Sequence, residues 1–74
     1  MWVSEIRKAR QETEDSTGYT PDFLVVRPEL MTVLCEETGN CPFGILESMD
    51  GMLVMASDLL VEEYSFGKYI RNMD

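Results

Sequence analysis

The side chains able to do covalent or acid–base chemistry are few: two cysteines, two adjacent pairs of glutamates and no histidine. Nucleophilic catalysis needs a nucleophile with a base close by, and Cys35 and Cys41 have no imidazole to activate them. Cys35 also precedes Glu36 and Glu37, whose negative charges disfavour a reactive thiolate. The sequence therefore predicts structural thiols rather than a cysteine nucleophile.

The paired carboxylates, Glu36-Glu37 and Glu62-Glu63, do not suit acid–base catalysis. Adjacent residues point to different faces of a helix and to opposite faces of a strand, so neither pair forms a dyad and both are expected to be solvated. The acids lack the spacing of a calcium loop, and the glycines lack a phosphate-binding pattern. We expect no enzyme, no cofactor and no metal site; an enzyme that uses only carboxylates and a tyrosine ranks third of three hypotheses.

The Cys-x5-Cys spacing matches no zinc or redox motif. A disulfide between Cys35 and Cys41 is left open. Met1 to Glu5 shows no basic-then-apolar arrangement, so the chain does not begin like a secretory signal. Two cysteines in such a chain favour a reducing cytoplasm. The longest apolar run, Met52 to Ala56, is far shorter than the ~20 residues of a membrane span. We expect a cytoplasmic protein that does not contact a membrane.

The charge of the chain is strongly negative and segregated. The formal net charge is −8, and twelve carboxylates lie between Gln11 and Phe66 with one base, Arg27. This balance disfavours nucleic acid and anionic lipid and favours a protein partner with a basic surface. An anionic body can also imitate nucleic acid. The other bases lie near the ends, where they could pair with a neighbouring copy in a homo-oligomer: Arg7, Lys8, Arg10, Lys68 and Arg71.

The first half of the chain predicts a helix, a strand and a second helix. Apolar residues at helical spacing indicate an amphipathic helix over 2–14, which is expected to fray before Gly18 because its last turn is acidic. The four apolar residues of 23–26 predict a strand covered on both faces. Pro28 is expected to open a helix that Gly39 ends.

The second half predicts three short strands. One lies between Phe43 and Ser48, a tight turn follows at 49–51, and a second strand runs over 52–56. A third is expected from Tyr64 to Ile70. The chain is therefore expected to be one small α+β domain over 1–74, with a helix at 2–14 and a strand–helix–strands unit at 22–70. Its order is α-β-α-β-β-β, and two helices pack on a small sheet.

Candidate contact residues are aromatic, apolar or acidic. Aromatic side chains often anchor protein interfaces, and clustered acids suit a basic partner. The methionines, by contrast, are predicted to fill the core. The candidates are Trp2, Ile6, Tyr19, Glu36, Glu37, Glu62, Glu63 and Tyr64.

Two segments resemble part of a major capsid protein of the tailed-phage and encapsulin type. That family often has a buried strand ending in Val-x-x-Pro, a helix with a Leu a turn or two later, and then Leu-x-Gly-φ-x-Val-x-x-Ser, where φ is apolar. Met49 or Asp50 stands here where an apolar residue is usual, and a capsid subunit is several times longer. The matching residues are Val25, Val26, Pro28, Leu34, Gly51, Val54 and Ser57, preceded by a helix with Ile6, Arg7, Ala9 and Arg10.

The resemblance implies viral origin and a structural or assembly role, and it carries over no catalytic residue. The first hypothesis is a non-enzymatic phage-type protein that acts through protein–protein contact, in the host cytoplasm or in the virion. The alternative is an acidic inhibitor that mimics nucleic acid and blocks a basic host protein, such as a defence or transcription factor.

Overall fold

The computed structural model describes residues 1–39 and 41–68 of the chain. It contains two helices and one mixed four-stranded sheet, so the predicted α+β class is confirmed. The element order also agrees with the prediction. The elements are α1 (Trp2–Thr17), β1 (Phe23–Val26), α2 (Pro28–Thr38), β2 (Ser48–Met49), β3 (Met52–Ala56) and β4 (Tyr64–Gly67).

The two inner strands of the sheet run parallel. The order across the sheet is β2-β3-β1-β4, and in the parallel pair Leu24 of β1 lies beside Val54 of β3. A parallel pair needs a crossover connection, and α2 lies in the segment that connects β1 to β3. The outer strands are antiparallel to their neighbours: β4 to β1, with Phe66 beside Leu24, and β2 to β3.

The hydrophobic core lies between one face of the sheet and the two helices. We call this the inner face; it carries Leu24 and Val26 of β1 with Met52 and Val54 of β3. Among the described residues, no polar or charged residue is buried. Removal of this apolar surface from water is the main favourable term in folding. The remaining core residues are Ile6, Leu30, Met31, Leu34, Leu46 and Met49.

Helix α1 is longer than predicted. It ends at Thr17 rather than near residue 14, and Gly18 closes it with φ of 80° while its N–H donates to the Glu14 carbonyl. Glycine reaches this left-handed conformation without a Cβ penalty. Support also comes from within the last turns: the Arg10–Glu14 ion pair, at 3.5 Å, and the Thr17 hydroxyl, which donates to the Thr13 carbonyl at 2.6 Å. These local contacts offset the unfavourable acidic C-terminus.

Helix α2 begins and ends as predicted. Pro28 is its first residue, after Arg27 in extended conformation, and Gly39 ends it with φ of 69° while its N–H donates to the Cys35 carbonyl. The fixed φ of proline suits the first turn, where its missing N–H removes no helical hydrogen bond. Both boundaries are set by the backbone preferences of single residues, so the sequence alone could predict them.

The prediction that β1 is covered on both faces is wrong. Its residues alternate between half-buried and buried, and only Leu24 and Val26 are buried. The two helices form a single layer on the inner face. The strand predicted between Phe43 and Ser48 is wrong over 43–47: β2 is Ser48–Met49, so Met49 lies in a strand rather than in the predicted turn. Strand β4 ends at Gly67, while Tyr69 and Ile70 lie outside the described residues.

The structure decides the pairing of the two cysteines, which the sequence left open. Cys35 and Cys41 form a disulfide, with their Cα atoms 5.3 Å apart. The bond joins the end of α2 to the loop before β2 and so closes the chain reversal at Gly39. Disulfides persist mainly in oxidising compartments and on virion surfaces, so these cysteines no longer argue for a reducing cytoplasm.

Loss of the disulfide should destabilise the protein measurably. In the loop-entropy account a closed loop of this size contributes ~2 kcal/mol. We expect a Cys35→Ser/Cys41→Ser variant to lose about that much free energy of unfolding in urea titrations. Dithiothreitol should lower the stability of the wild type and leave the variant unchanged. Free thiols in the untreated, folded protein would contradict the pairing.

A side chain at the second residue of the hairpin turn between β2 and β3 should destabilise the protein. Asp50 and Gly51 have φ of 51° and 82°, the positive values of the common two-residue hairpin turn. Gly51→Ala should lower the free energy of unfolding by about 1–2 kcal/mol. Gly67→Ala is the matched control, because its added Cβ would meet Phe23 at an ordinary 3.6 Å and its φ is not positive. An equal loss in both variants would count against the turn assignment.

Candidate protein-interaction surface

The face of the sheet opposite the helices is apolar at its centre. Residues paired in register on neighbouring strands share a face, which places Phe23 and Val25 of β1 beside Leu53 and Met55 of β3. We call these four residues the open face. Leu53 is 58% exposed and Met55 44% exposed, while Phe23 and Val25 are half-buried. A contiguous apolar patch of this kind usually marks a contact site.

The outer strands leave this patch accessible. Ser48 of β2 pairs with Leu53, and on the other side Ser65 and Gly67 of β4 pair with Val25 and Phe23. These flanking residues are small, so no bulky side chain of an edge strand stands above the open face. A helix or strand of a partner protein could therefore pack across all four strands.

A loop rich in acids and exposed apolar residues lies where β1 and β3 end. We call residues 57–63 the acidic loop, because it carries Asp58, Glu62 and Glu63, all exposed. Two of its three apolar residues, Leu59 and Val61, are 88% and 90% exposed. Such side chains gain nothing from folding where they stand, which makes them available to a partner.

Backbone and side-chain hydrogen bonds hold the acidic loop against the sheet. The Ser57 N–H donates to the Val26 carbonyl at 2.9 Å, and the Arg27 N–H donates to the Glu63 carbonyl at 3.1 Å. The Arg27 guanidinium donates from Nη1 to the Leu60 carbonyl at 2.6 Å and from Nε to Glu29 at 3.2 Å. Arg27, the one base predicted within the acidic body, is therefore an internal clamp for this loop.

Three of the predicted contact residues pack within the protein rather than on its surface: Trp2, Ile6 and Tyr64. Ile6 is fully buried in the core, so it cannot contact a partner. Trp2 and Tyr64 are half-buried and meet edge to face, with centroids 6.1 Å apart, and Tyr64 meets Phe66 in the same way. Replacement of Trp2 would therefore disturb packing, and a loss of binding in such a variant would not identify a docking site.

Tyr19 is the one predicted aromatic contact that is exposed. It is 41% exposed in the loop after α1, with the Lys68 ammonium 5.6 Å from its ring centroid. The same ammonium lies 3.7 Å from a carboxylate oxygen of Asp22. A cation over an aromatic face is favourable, so this group ties the loop before β1 to the end of β4.

Glu37 has a structural role that sequence patterns did not predict. Its carboxylate accepts hydrogen bonds from the N–H groups of Trp2 and Val3, each at 3.0 Å, and so caps α1 from α2. The bond from Val3 is the largest cause of a lowered pKa of Glu37; burial opposes it, and the bond from Trp2 and the terminal amine act with it. Free N–H groups at a helix start favour a negative charge.

Acidic residues lie near both ends of each helix. Glu37 meets the start of α1, whereas Glu14 and Asp15 lie at its far end, about 17 Å along the axis at 1.5 Å per residue. The Glu63 backbone carbonyl accepts a hydrogen bond from the Arg27 N–H at the start of α2, roughly 14 Å from the end that carries Glu36. The acidic loop, which contains Glu63, is the acidic group that adjoins the ends of β1 and β3.

Two of the three basic residues of α1, Arg7 and Arg10, also have partners within the molecule. Arg7 forms an ion pair with Asp50 of the hairpin turn at 2.8 Å, and Arg10 pairs with Glu14.

In the described part of the chain, no group of three or more ligating side chains could hold a metal ion, and no helix is both long and apolar enough to cross a membrane.

The open face itself was missed by sequence reasoning. The methionines were predicted to fill the core, and this is wrong for Met55, which is 44% exposed. The signal that could have found the open face is the count of covering elements, since two helices make one layer and a sheet has two faces.

Comparisons with protein-family models, with curated proteins and with solved structures found no match to this chain. The inference of function therefore depends on the geometry of the chain's own residues.

Glu37→Gln should reduce stability in a pH-dependent way. A carboxylate with a lowered pKa in the folded state stabilises the protein above the pKa of the unfolded chain, about 4.3, and loses that effect as the pH falls. We expect a lower urea midpoint for Glu37→Gln at pH 7 and a difference from wild type that shrinks below about pH 4. Glu36→Gln, one residue away and exposed, is the control. Equal midpoints for the two variants at pH 7 would refute the cap.

Proposed function

We propose that this protein is a non-enzymatic component that acts by protein–protein contact through its open face. The observation that supports this is a pair of parallel inner strands whose second face is apolar and exposed at Leu53 and Met55. Parallel strands are nearly always covered on both faces. A partner that covers this face would complete the usual layered arrangement.

The placement of reactive groups supports the non-enzymatic proposal. Cys35 and Cys41 are joined to each other, so neither sulfur is a free nucleophile. Glu37 is engaged by backbone N–H groups, and Glu36 points from an exposed position on α2. A surface cleft of about 490 Å³ is lined mainly by apolar residues of the loop before β2, Phe43 and Ile45 among them.

We further propose a phage-type structural or assembly role. Its support is the sequence resemblance to capsid proteins together with the agreement in element order, in which a Pro-initiated helix follows β1 and a Gly51 turn precedes β3. Of the two locations that this role allows, we favour the virion over the host cytoplasm. The disulfide supports that choice, because such bonds persist on virion surfaces and are rare in a reducing cytoplasm.

Nucleic-acid mimicry is the alternative function, and the acid distribution weighs against it. A mimic needs a continuous anionic face to enter a basic groove. Here Glu14 lies at one end of α1 and Glu37 meets the other end, about 17 Å away along the axis. Salt distinguishes the two functions, since binding that depends on surface charge weakens steeply with ionic strength.

A photo-crosslinking residue at Met55 should capture a partner in the native host, whereas the same residue at Glu12, exposed on α1, should not. Leu53→Ser combined with Val25→Ser should lower the captured amount at least ~10-fold, because central apolar contacts dominate binding energy. Binding should survive about 0.5 M salt and should not be displaced by DNA or RNA. Thermal unfolding checks that the variant is still folded.

Equal capture from the two positions would overturn the proposal. Complete loss of binding in salt with displacement by nucleic acid would support mimicry instead. Light scattering at several concentrations tests self-assembly, the remaining form of protein contact.

A further inference from the structure

We propose that the occupant of the open face is a basic amphipathic helix of a partner protein, an inference that rests on the proposed function and names its partner class. The helix would lay an apolar stripe on Leu53 and Met55 and direct Lys or Arg side chains toward the acidic loop. Three properties of the described residues support this choice: the layer that is missing, the size of the face, and the charge at its border.

The missing layer favours a helix. Both inner strands are parallel, and in folds with parallel strands the covering layers are helical because crossover helices pack on the sheet. The inner face already follows this rule, with α1 and α2 packed on it. An apolar helix stripe at i, i+3 and i+4 presents the ridge that fills a pleated apolar face.

The dimensions of the face fit a short helix. Four strands at about 4.8 Å spacing span roughly 14 Å between the outer strands. The inner strand β3 has five residues, which corresponds to about 17 Å. A helix of about 10–12 residues covers 15–18 Å, so a few turns suffice to cross the open face and reach the loop beyond it.

The charge at the border favours a basic helix. Asp58, Glu62 and Glu63 are all exposed on the acidic loop, at the end where β1 and β3 finish. The nearby base Arg27 is already bonded to Glu29 and to the Leu60 carbonyl. The exposed Leu59 and Val61 of the same loop add apolar contacts. This combination of apolar surface and negative charge matches a helix with an apolar stripe and a cationic border.

The same charges argue against a second copy as the occupant. Two open faces brought together would each carry an acidic loop, and each chain has a net charge of −8. Like charges placed opposite each other across an interface cost several kcal/mol. A partner of opposite charge avoids this cost and associates faster.

The test uses synthetic helical peptides of about 14 residues, one with Leu and Lys and a matched one with Leu and Glu. Amide chemical shifts of the labelled full chain report where each peptide binds, and stopped-flow fluorescence of a dye on the peptide reports association and dissociation rates. We expect the Leu/Lys peptide to shift Val25, Leu53 and Met55 and the Leu/Glu peptide to bind at least ~10-fold more weakly.

Two charge-matched variants separate local from overall electrostatics. The first is Asp58→Asn, Glu62→Gln and Glu63→Gln on the acidic loop; the second is Glu12→Gln, Asp15→Asn and Glu36→Gln on the helices. Each removes three negative charges. The loop variant should slow association of the Leu/Lys peptide ~5-fold or more and change dissociation little, because charges at the border of an interface act mainly on the association rate. The helix variant should stay close to wild type.

The outcomes distinguish this inference from the proposed function. Equal slowing in both variants, or equal affinity for the two peptides, would overturn the basic helix and leave the open face as a contact site. A dimer in light scattering that protects Leu53 and Met55 would identify a second copy and also overturn it. If peptide shifts avoid the open face and crosslinking at Met55 also fails, the proposed function falls too.

Discussion

The parallel pairing of β1 with β3 is the interaction on which the rest of this fold depends. It requires a crossover, which α2 supplies, and it fixes Leu24 and Val54 on one face with Val25 and Met55 on the other. The described chain has two helices, and both pack on the inner face. One face of the sheet is thus covered by helices and the other is not. The open face follows directly from a parallel pair on which both helices of the described residues pack from the same side.

The features that could be predicted from sequence are those set by neighbouring residues. Pro28 and Gly39 bound α2, and Asp50-Gly51 forms the hairpin turn, because each of these restricts or permits local backbone angles. The features missed depend on distant contacts. The Cys35–Cys41 pairing follows from the chain reversal after α2, and the Glu37 cap requires two helix ends to meet. The site was predicted only in its acidic part, since exposure of Leu53 depends on what covers the sheet.

The contacts of the acidic residues show which part of the negative charge is available to the proposed cationic partner. Asp50 is paired with Arg7, Glu14 with Arg10, and Glu37 with backbone N–H groups, so part of the negative charge stabilises the fold. Within the described residues, the acidic loop combines negative charge with exposed apolar side chains where β1 and β3 end. The preference for a basic partner therefore becomes a property of one loop rather than of the whole molecule.

The net charge and the open face together explain how such a surface can exist on a small protein. An exposed apolar face at Leu53 and Met55 would favour association between copies, and a net charge of −8 opposes that association by mutual repulsion. Repulsion between identical chains does not hinder a cationic partner, which it attracts instead. Binding would also stabilise the folded state by mass action, which matters for a core of one layer. The same charge that opposes association between copies would thus favour a cationic partner for the open face.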